Sequence, residues 1–202
     1  MTIDRATNQY SSSNLRKHTH SGRLHRWLLA RFHAAVGSLL DRTDARQILD
    51  AGCGEGFAMQ WLSQQPYPMV GLDYSLEALT LAERCNPTCR FTAGDLLGLP
   101  FADKQFDLVL CLEVLEHLEY PERGLAELGR VSRRWLLLSV PHEPFFRGAN
   151  FLRGKNMAAW GNDPGHINHW SARQFRAFVA SQYQIVACRL SFPWTIILCR
   201  ND

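Results

Sequence analysis

The stretch ILDAGCGEGFAMQWL, residues 48–62, decides the fold. An apolar run from Ile48 to Ala51 carries one acid, Asp50, and breaks into glycines at 52, 54 and 56 before a helix-prone FAMQWL. Glycine lacks Cβ, so a strand can turn sharply into a helix there and bring backbone amides close to a ligand. Outward from this unit, β-like runs alternate with helical ones: MVGLD at 69–73, a helix from Leu76, CRFTA, FDLVLCL, a helix around Pro121 to Val131, then WLLLSVP. That alternation predicts an α/β fold, a mostly parallel sheet with helices on both faces. A further helix is expected over Ser171 to Ser181, with Ser171 as its N-cap. The final YQIVACRLSFPWTIILCR reads as two strands joined by a Phe-Pro turn, an antiparallel hairpin finishing the sheet. Upstream, LHRWLLARFHAAVGSLL spaces Trp27, Leu28, Phe32, Val36, Leu39 and Leu40 for an amphipathic helix that packs on the domain or caps its cleft. The expected organisation is a basic leader and cap helix over residues 1–46 and the main domain over 47–202. Within the latter, 142–170 is an irregular insertion beyond a strand's carboxyl end, where open α/β sheets bind ligands.

A chain of 202 residues with 46% hydrophobic content can bury one substantial core. It has no uninterrupted apolar run of about 18 residues, so no membrane span is expected. The polar N-terminal stretch lacks the apolar core of a signal peptide, which points to a reducing cytoplasm. The six cysteines, at 53, 85, 89, 111, 188 and 199, form no CxxC pair and are expected as thiols rather than zinc ligands. Residues 1–46 hold eight Lys or Arg against three Asp or Glu, so the net charge of +3 is an N-terminal property. Only Arg16 and Lys17 are adjacent, short of a polybasic tract, which favours a solvated leader over a nucleic-acid arm.

Two acids qualify the glycine loop. Asp73 ends the second strand, where a carboxylate can accept hydrogen bonds from both hydroxyls of a ribose. Asp95 follows the third strand, where it can accept from the exocyclic amine of adenine. The dinucleotide fingerprint G-x-G-x-x-G/A wants a small last residue, but counting from Gly52 that position is Phe57. Asp50, just before the turn, would repel a diphosphate and could meet an ammonium group. The adenosine cofactor without phosphate and with an amine is S-adenosylmethionine.

With these residues in view, LDAGCGEG, GLDYSLEAL, FTAGDLLGLPFADKQFDLVLCLEVLEHL and LLLSVP resemble the ordered motifs of the class I S-adenosylmethionine-dependent methyltransferases, over roughly Ile48 to Pro141. The resemblance implies a Rossmann-like seven-stranded sheet with a reversed last strand, and methyl transfer of the EC 2.1.1 type. It implies that Asp50, Gly52, Cys53, Gly54 and Gly56 surround the methionine part, that Asp73 takes the ribose, and that Asp95 and Leu96 frame the adenine, with Tyr74 and Leu112 also on the cofactor.

The sulfonium is already electrophilic, so the protein has to align a nucleophile and remove a proton. Candidates lie in CLEVLEHL and in NDPGHINHWSARQF. A helix beginning near Glu113 would put Glu113, Glu116 and His117 on one face. His166 and His169 fall in the expected substrate region. The chain resembles the small-molecule methyltransferases of ubiquinone and menaquinone synthesis. Its E-x-x-E-H with a later histidine resembles the metal-dependent O-methyltransferases that modify small-RNA 3′ ends, and less closely those of ubiquinone synthesis. On that analogy Glu113, Glu116, His117 and His166 would ligate Mg²⁺ or Mn²⁺. The competing readings are a metal-free His117, His166 or His169 acting as base or substrate contact, and histidines that serve structure alone. His142 borders the same region, while His18, His20, His25 and His33 are assigned to an exposed leader and helix. Phe145, Phe146, Phe151, Met157 and Trp160, interleaved with Arg147, Arg153 and Lys155, suggest a lid over a partly hydrophobic or anionic small molecule, or simply the packing of the insertion. The expected activity is methylation of a small-molecule oxygen acceptor by a monomer or homodimer. The alternatives are an RNA ribose 2′-O-methyltransferase, disfavoured for want of an RNA-binding module, and a non-catalytic S-adenosylmethionine-binding partner of another enzyme.

Overall fold

The computed structural model describes residues 22–62, 68–145, 148 and 165–201. Helix α1 (Arg23–Leu40) precedes β1 (Ile48–Ala51), α2 (Phe57–Leu62), β2 (Met69–Asp73), α3 (Leu76–Cys85), β3 (Arg90–Ala93) and β4 (Phe106–Leu112). A 3-10 turn (Leu115–His117) leads to α4 (Pro121–Val131), β5 (Ser132–Pro141), α5 (Ala172–Ala180), β6 (Gln184–Ser191) and β7 (Trp194–Arg200). The seven strands form one sheet in the order β3-β2-β1-β4-β5-β7-β6. The first five are parallel, and β7 runs antiparallel between β5 and β6. This is the Rossmann-like sheet with its reversed last strand. The two strands of the hairpin are paired as the sequence suggests, with the later one placed inside and the earlier one at the edge.

Side chains alternate across the pleat, which sorts the apolar residues into cores on opposite faces. Leu49, Val109, Leu136, Leu138 and Ile197 meet α4 and α5 through Leu125, Leu128, Phe175 and Val179. Ile48, Leu108, Leu110, Leu137, Ile196 and Leu198 meet α1, α2 and α3 through Phe32, Val36, Leu39, Met59 and Leu79. Central strands buried on both faces are mostly apolar, hence the run LLLSVP in β5, interrupted only by Ser139. Ser171 caps α5 as expected: its hydroxyl accepts from the Gln174 amide, and the Gln174 side chain accepts from the Ser171 amide.

Helix α1 lies against the sheet rather than over a cleft, with Phe32, Val36, Leu39 and Leu40 buried and the Phe32 ring 4.9 Å from that of Trp194. Trp27 departs from the expected apolar stripe. It is 54% exposed, and the Arg31 guanidinium lies over its ring at 4.9 Å. His33 departs as well, stacking on Trp61 of α2 at 4.6 Å instead of standing in solvent. All six cysteines are free thiols. Among the described residues no helix is long and apolar enough to cross a membrane. His18 and His20, and Phe146, Arg147, Phe151, Arg153, Lys155, Met157 and Trp160 of the expected lid, lie outside the described residues.

Candidate active site

The sheet order brings the carboxyl ends of β1, β2, β3 and β4 to one edge, and the connections run in opposite directions from β1 and β4. Such a switch point opens a crevice for a ligand. The glycine loop sits there. Its Gly52 and Cys53 amides donate to the Leu72 carbonyl at 2.7 and 2.9 Å, folding the loop over the end of β2. Gly52 has φ +85° and a Cβ on it would come within 2.4 Å of Val114 Cγ2. Gly56 has φ +75° and a Cβ there would meet the Asn86 side-chain nitrogen at 2.6 Å. That same buried amide donates to the Gly56 carbonyl at 3.1 Å, tying the loop to the end of α3. Asn86 is a loop-holding residue that sequence reasoning missed, since its partner is a backbone oxygen thirty residues away.

Asp73 holds the loop from the other side. Its Oδ2 accepts from the Gly54 amide at 2.8 Å and its Oδ1 from the Ser75 amide at 2.9 Å. Each carboxylate oxygen can accept more than one bond, so these contacts fix the orientation of Asp73 without exhausting it for ribose hydroxyls. Asp50 is buried, 2% exposed, and its Oδ2 has no hydrogen-bond partner among the described residues. Burial first, and the negative charge of Asp73 second, lift its carboxyl from 3.8 to about 7. A buried acid oxygen without a donor is costly unless a ligand supplies one. An ammonium group does so, and a phosphate does the opposite. Cys53 is buried beside these acids, and desolvation pushes its thiol up, out of the range in which it would be a nucleophile. Asp95 is exposed and its Oδ1 accepts from the Leu97 amide at 2.9 Å, while the following Leu96 is buried. Tyr74 is 85% exposed at the edge of the crevice, and Leu112 is half-buried at the end of β4.

Beyond β4 the structure corrects one expectation. Glu113 does not begin a helix. It has φ +61°, its amide donates to the Ser139 carbonyl at 3.1 Å, and its Oε1 accepts from the Ser139 hydroxyl at 2.9 Å. This clasp holds the chain to the neighbouring strand, so Glu113 shares no helix face with Glu116 and His117. The 3-10 turn that follows brings ligating atoms of Glu116, His117 and His166 within 4.8 Å of one another. Glu116 is buried, 1% exposed, whereas His117 is exposed and His166 half-buried. The rings of His117 and His166 meet edge-on at 4.8 Å. His117 Nδ1 lies 2.7 Å from the Gly165 carbonyl, which can only accept. The neutral ring is therefore protonated at Nδ1, leaving the Nε2 lone pair available to accept a proton or bind a cation. His169 belongs to a different pairing, its Nδ1 3.9 Å from Oε1 of buried Glu143. The His142 amide donates to the Pro193 carbonyl, and its ring stacks edge-on with Phe145.

Fold and site together define a Rossmann-like domain with a glycine loop at the switch point of its sheet. A methyltransferase-domain family model matches residues 49–135. The chain is 31% identical over 177 residues to a protein of Encephalitozoon cuniculi that bears a methyltransferase name, covering 84% of this chain and 76% of that one. It is 32% identical over 103 residues to the demethylmenaquinone methyltransferase of Renibacterium salmoninarum, covering 51% of this chain and 44% of the relative, so it spans less than half of that protein's length. The solved magnesium protoporphyrin IX methyltransferase of Synechocystis with bound SAH superposes with a TM-score of 0.69 at 19% identity, over 96% of each chain. The chain belongs to the class I S-adenosylmethionine-dependent methyltransferases. S-adenosylmethionine is the cofactor of that family.

Proposed function

We propose that this protein transfers the methyl group of S-adenosylmethionine to a hydroxyl oxygen of a small molecule. The acceptor lies beside the turn after β4 and residues 165–169. In this reading the glycine loop, Asp50 and Asp73 hold the methionine and ribose parts, and Asp95 and Leu96 border the adenine. The observation that carries the acceptor side is the imidazole of His117, whose tautomer is set by the Gly165 carbonyl so that Nε2 can take a proton. It stands beside Glu116 and His166 at the end of a turn whose Val114 touches the cofactor loop. Taking the proton that an acceptor hydroxyl would lose as the methyl passed from the sulfonium sulfur to oxygen, leaving the thioether S-adenosylhomocysteine, is general-base work suited to such a group.

A divalent cation at Glu116, His117 and His166 is a second reading, favoured by their 4.8 Å clustering. One carboxylate and two imidazoles make a mixed set, better matched to Zn²⁺ or Mn²⁺ than to Mg²⁺. The cation would lower the pKa of an acceptor hydroxyl.

Calorimetry with S-adenosylhomocysteine tests the cofactor part: binding is expected, with at least a tenfold loss in Asp73→Ala, and absence of binding overturns it. Labelled methyl transfer to size-matched hydroxyl and amine compounds tests the acceptor part. Labelling of the hydroxyl series, lost in His117→Ala, is expected; labelling of amines alone overturns it. Loss of turnover in EDTA, restored by Mn²⁺ or Zn²⁺, would select the cation reading over the free imidazole.

A further inference from the structure

The approach of His166 to His117 is not produced by the two rings themselves. The segment 165–168 is fastened to the turn 115–118 by a set of hydrogen bonds. The Ile167 and Asn168 amides both donate to the Glu116 carbonyl at 2.9 Å. The Asn168 side-chain nitrogen donates to the Leu118 carbonyl at 2.7 Å and, at 3.4 Å, to that of Leu115. These three acceptors lie in and beside a single 3-10 turn, where carbonyls lack the partners a longer helix would give them. Asn168 is half-buried, and a primary amide is the neutral side chain that offers two hydrogens to two such oxygens.

We propose that Asn168 is a positioning residue for the acceptor side of the site. By gripping the turn it fixes the Gly165 carbonyl against His117 Nδ1, which sets the His117 tautomer, and it holds the His166 ring against His117. Asn168 touches neither cofactor nor acceptor and acts through the histidines. The inference rests on the reading that Glu116, His117 and His166 serve the acceptor. It adds the residue that assembles them from two segments about fifty positions apart.

The experiment is a two-bond ¹H–¹⁵N correlation of the histidine rings in the ¹⁵N-labelled full chain, with the His117 signal assigned by its loss in His117→Gln. The wild type is expected to show neutral His117 as the Nδ1–H form. Asn168→Asp keeps the shape but cannot donate. It should move His117 toward the Nε2–H form that unrestrained imidazoles favour, and Asn168→Gln, which keeps the donor, should restore the wild-type form at least in part. Methyl transfer should fall tenfold or more in Asn168→Asp, chiefly in kcat. Asn168→Ala, which adds no charge, gives the same readout if the aspartate variant does not fold. Retention of the Nδ1–H form in either the Asp or the Ala variant overturns the proposal. Should the tautomer move while His117→Gln transfers methyl groups at the wild-type rate, the clamp stands and the acceptor-side reading falls.

Discussion

Asp50 is an acid placed where water cannot satisfy it, and its cost to the protein without cofactor depends on pH. Its folded pKa of about 7 lies above the ordinary 3.8. The folded chain therefore keeps a proton that the unfolded chain has lost, and stability falls as pH rises from about 4 to about 7. Above that range the penalty is complete. Asp50→Asn is expected to stabilise the cofactor-free protein by roughly 2–4 kcal/mol at pH 8 and to leave it nearly unchanged at pH 4, as thermal unfolding at both values would show. The same variant should weaken S-adenosylhomocysteine binding. Gly52→Ala is a second test at this scale: its Cβ would lie 2.4 Å from Val114, in a left-handed conformation that alanine disfavours. A loss of cofactor affinity of at least tenfold is expected in titration calorimetry, with Val114→Ala restoring only the part due to the clash. Both positions were legible in the sequence, because a charged residue inside an apolar strand and a glycine at a strand-to-helix turn have few other uses. Glu113 was not, since its left-handed backbone answers to Ser139 on another strand. The spacing of Glu113, Glu116 and His117 looks the same whether the chain there is a helix or a turn.

At the scale of elements, the loop bearing Asp95 and Leu96 depends on α4. Arg130 of that helix donates to the Leu99 and Phe101 carbonyls at 2.8 Å each and pairs with Glu127 and Asp103. Glu127 in turn accepts from the Leu99 amide at 2.9 Å. These hydrogen bonds hold the Glu127 carboxyl below its ordinary value and the Arg130 guanidinium above its own. Arg130→Met removes donors from two loop carbonyls. A loss of about 1–3 kcal/mol is expected in denaturant unfolding, with a several-fold weaker hold on S-adenosylhomocysteine because the adenine side loosens. The strands and helices themselves were readable from period and composition, down to the Ser171 cap. The tertiary clasps made by Arg130, Asn86 and Asn168 were not, because each holds a distant segment through backbone oxygens, which carry no signature of their own in a sequence.

For the molecule as a whole, α1 joins the early and late parts of the chain. Phe32 packs on Trp194 of β7, and Val36 and Leu39 enter the core that Ile48 and Met59 share. Phe32→Ala should cost about 3–5 kcal/mol in urea unfolding, as one transition with an unchanged slope if the sheet unfolds as a unit. The seven strands and the reversed last one were implied by the family resemblance, whereas their order was not read from the sequence. The placement of β7 inside the sheet has a consequence for how the protein is made. On the ribosome the parallel strands β1 to β5 emerge first and can pair among themselves, but the outer edge of β5 has no neighbour until residues 194–200 are synthesised. That edge belongs to an apolar strand, the kind of surface that recruits foreign strands. The nascent chain therefore passes through a stage in which one side of its apolar β5 awaits the strand that will cover it.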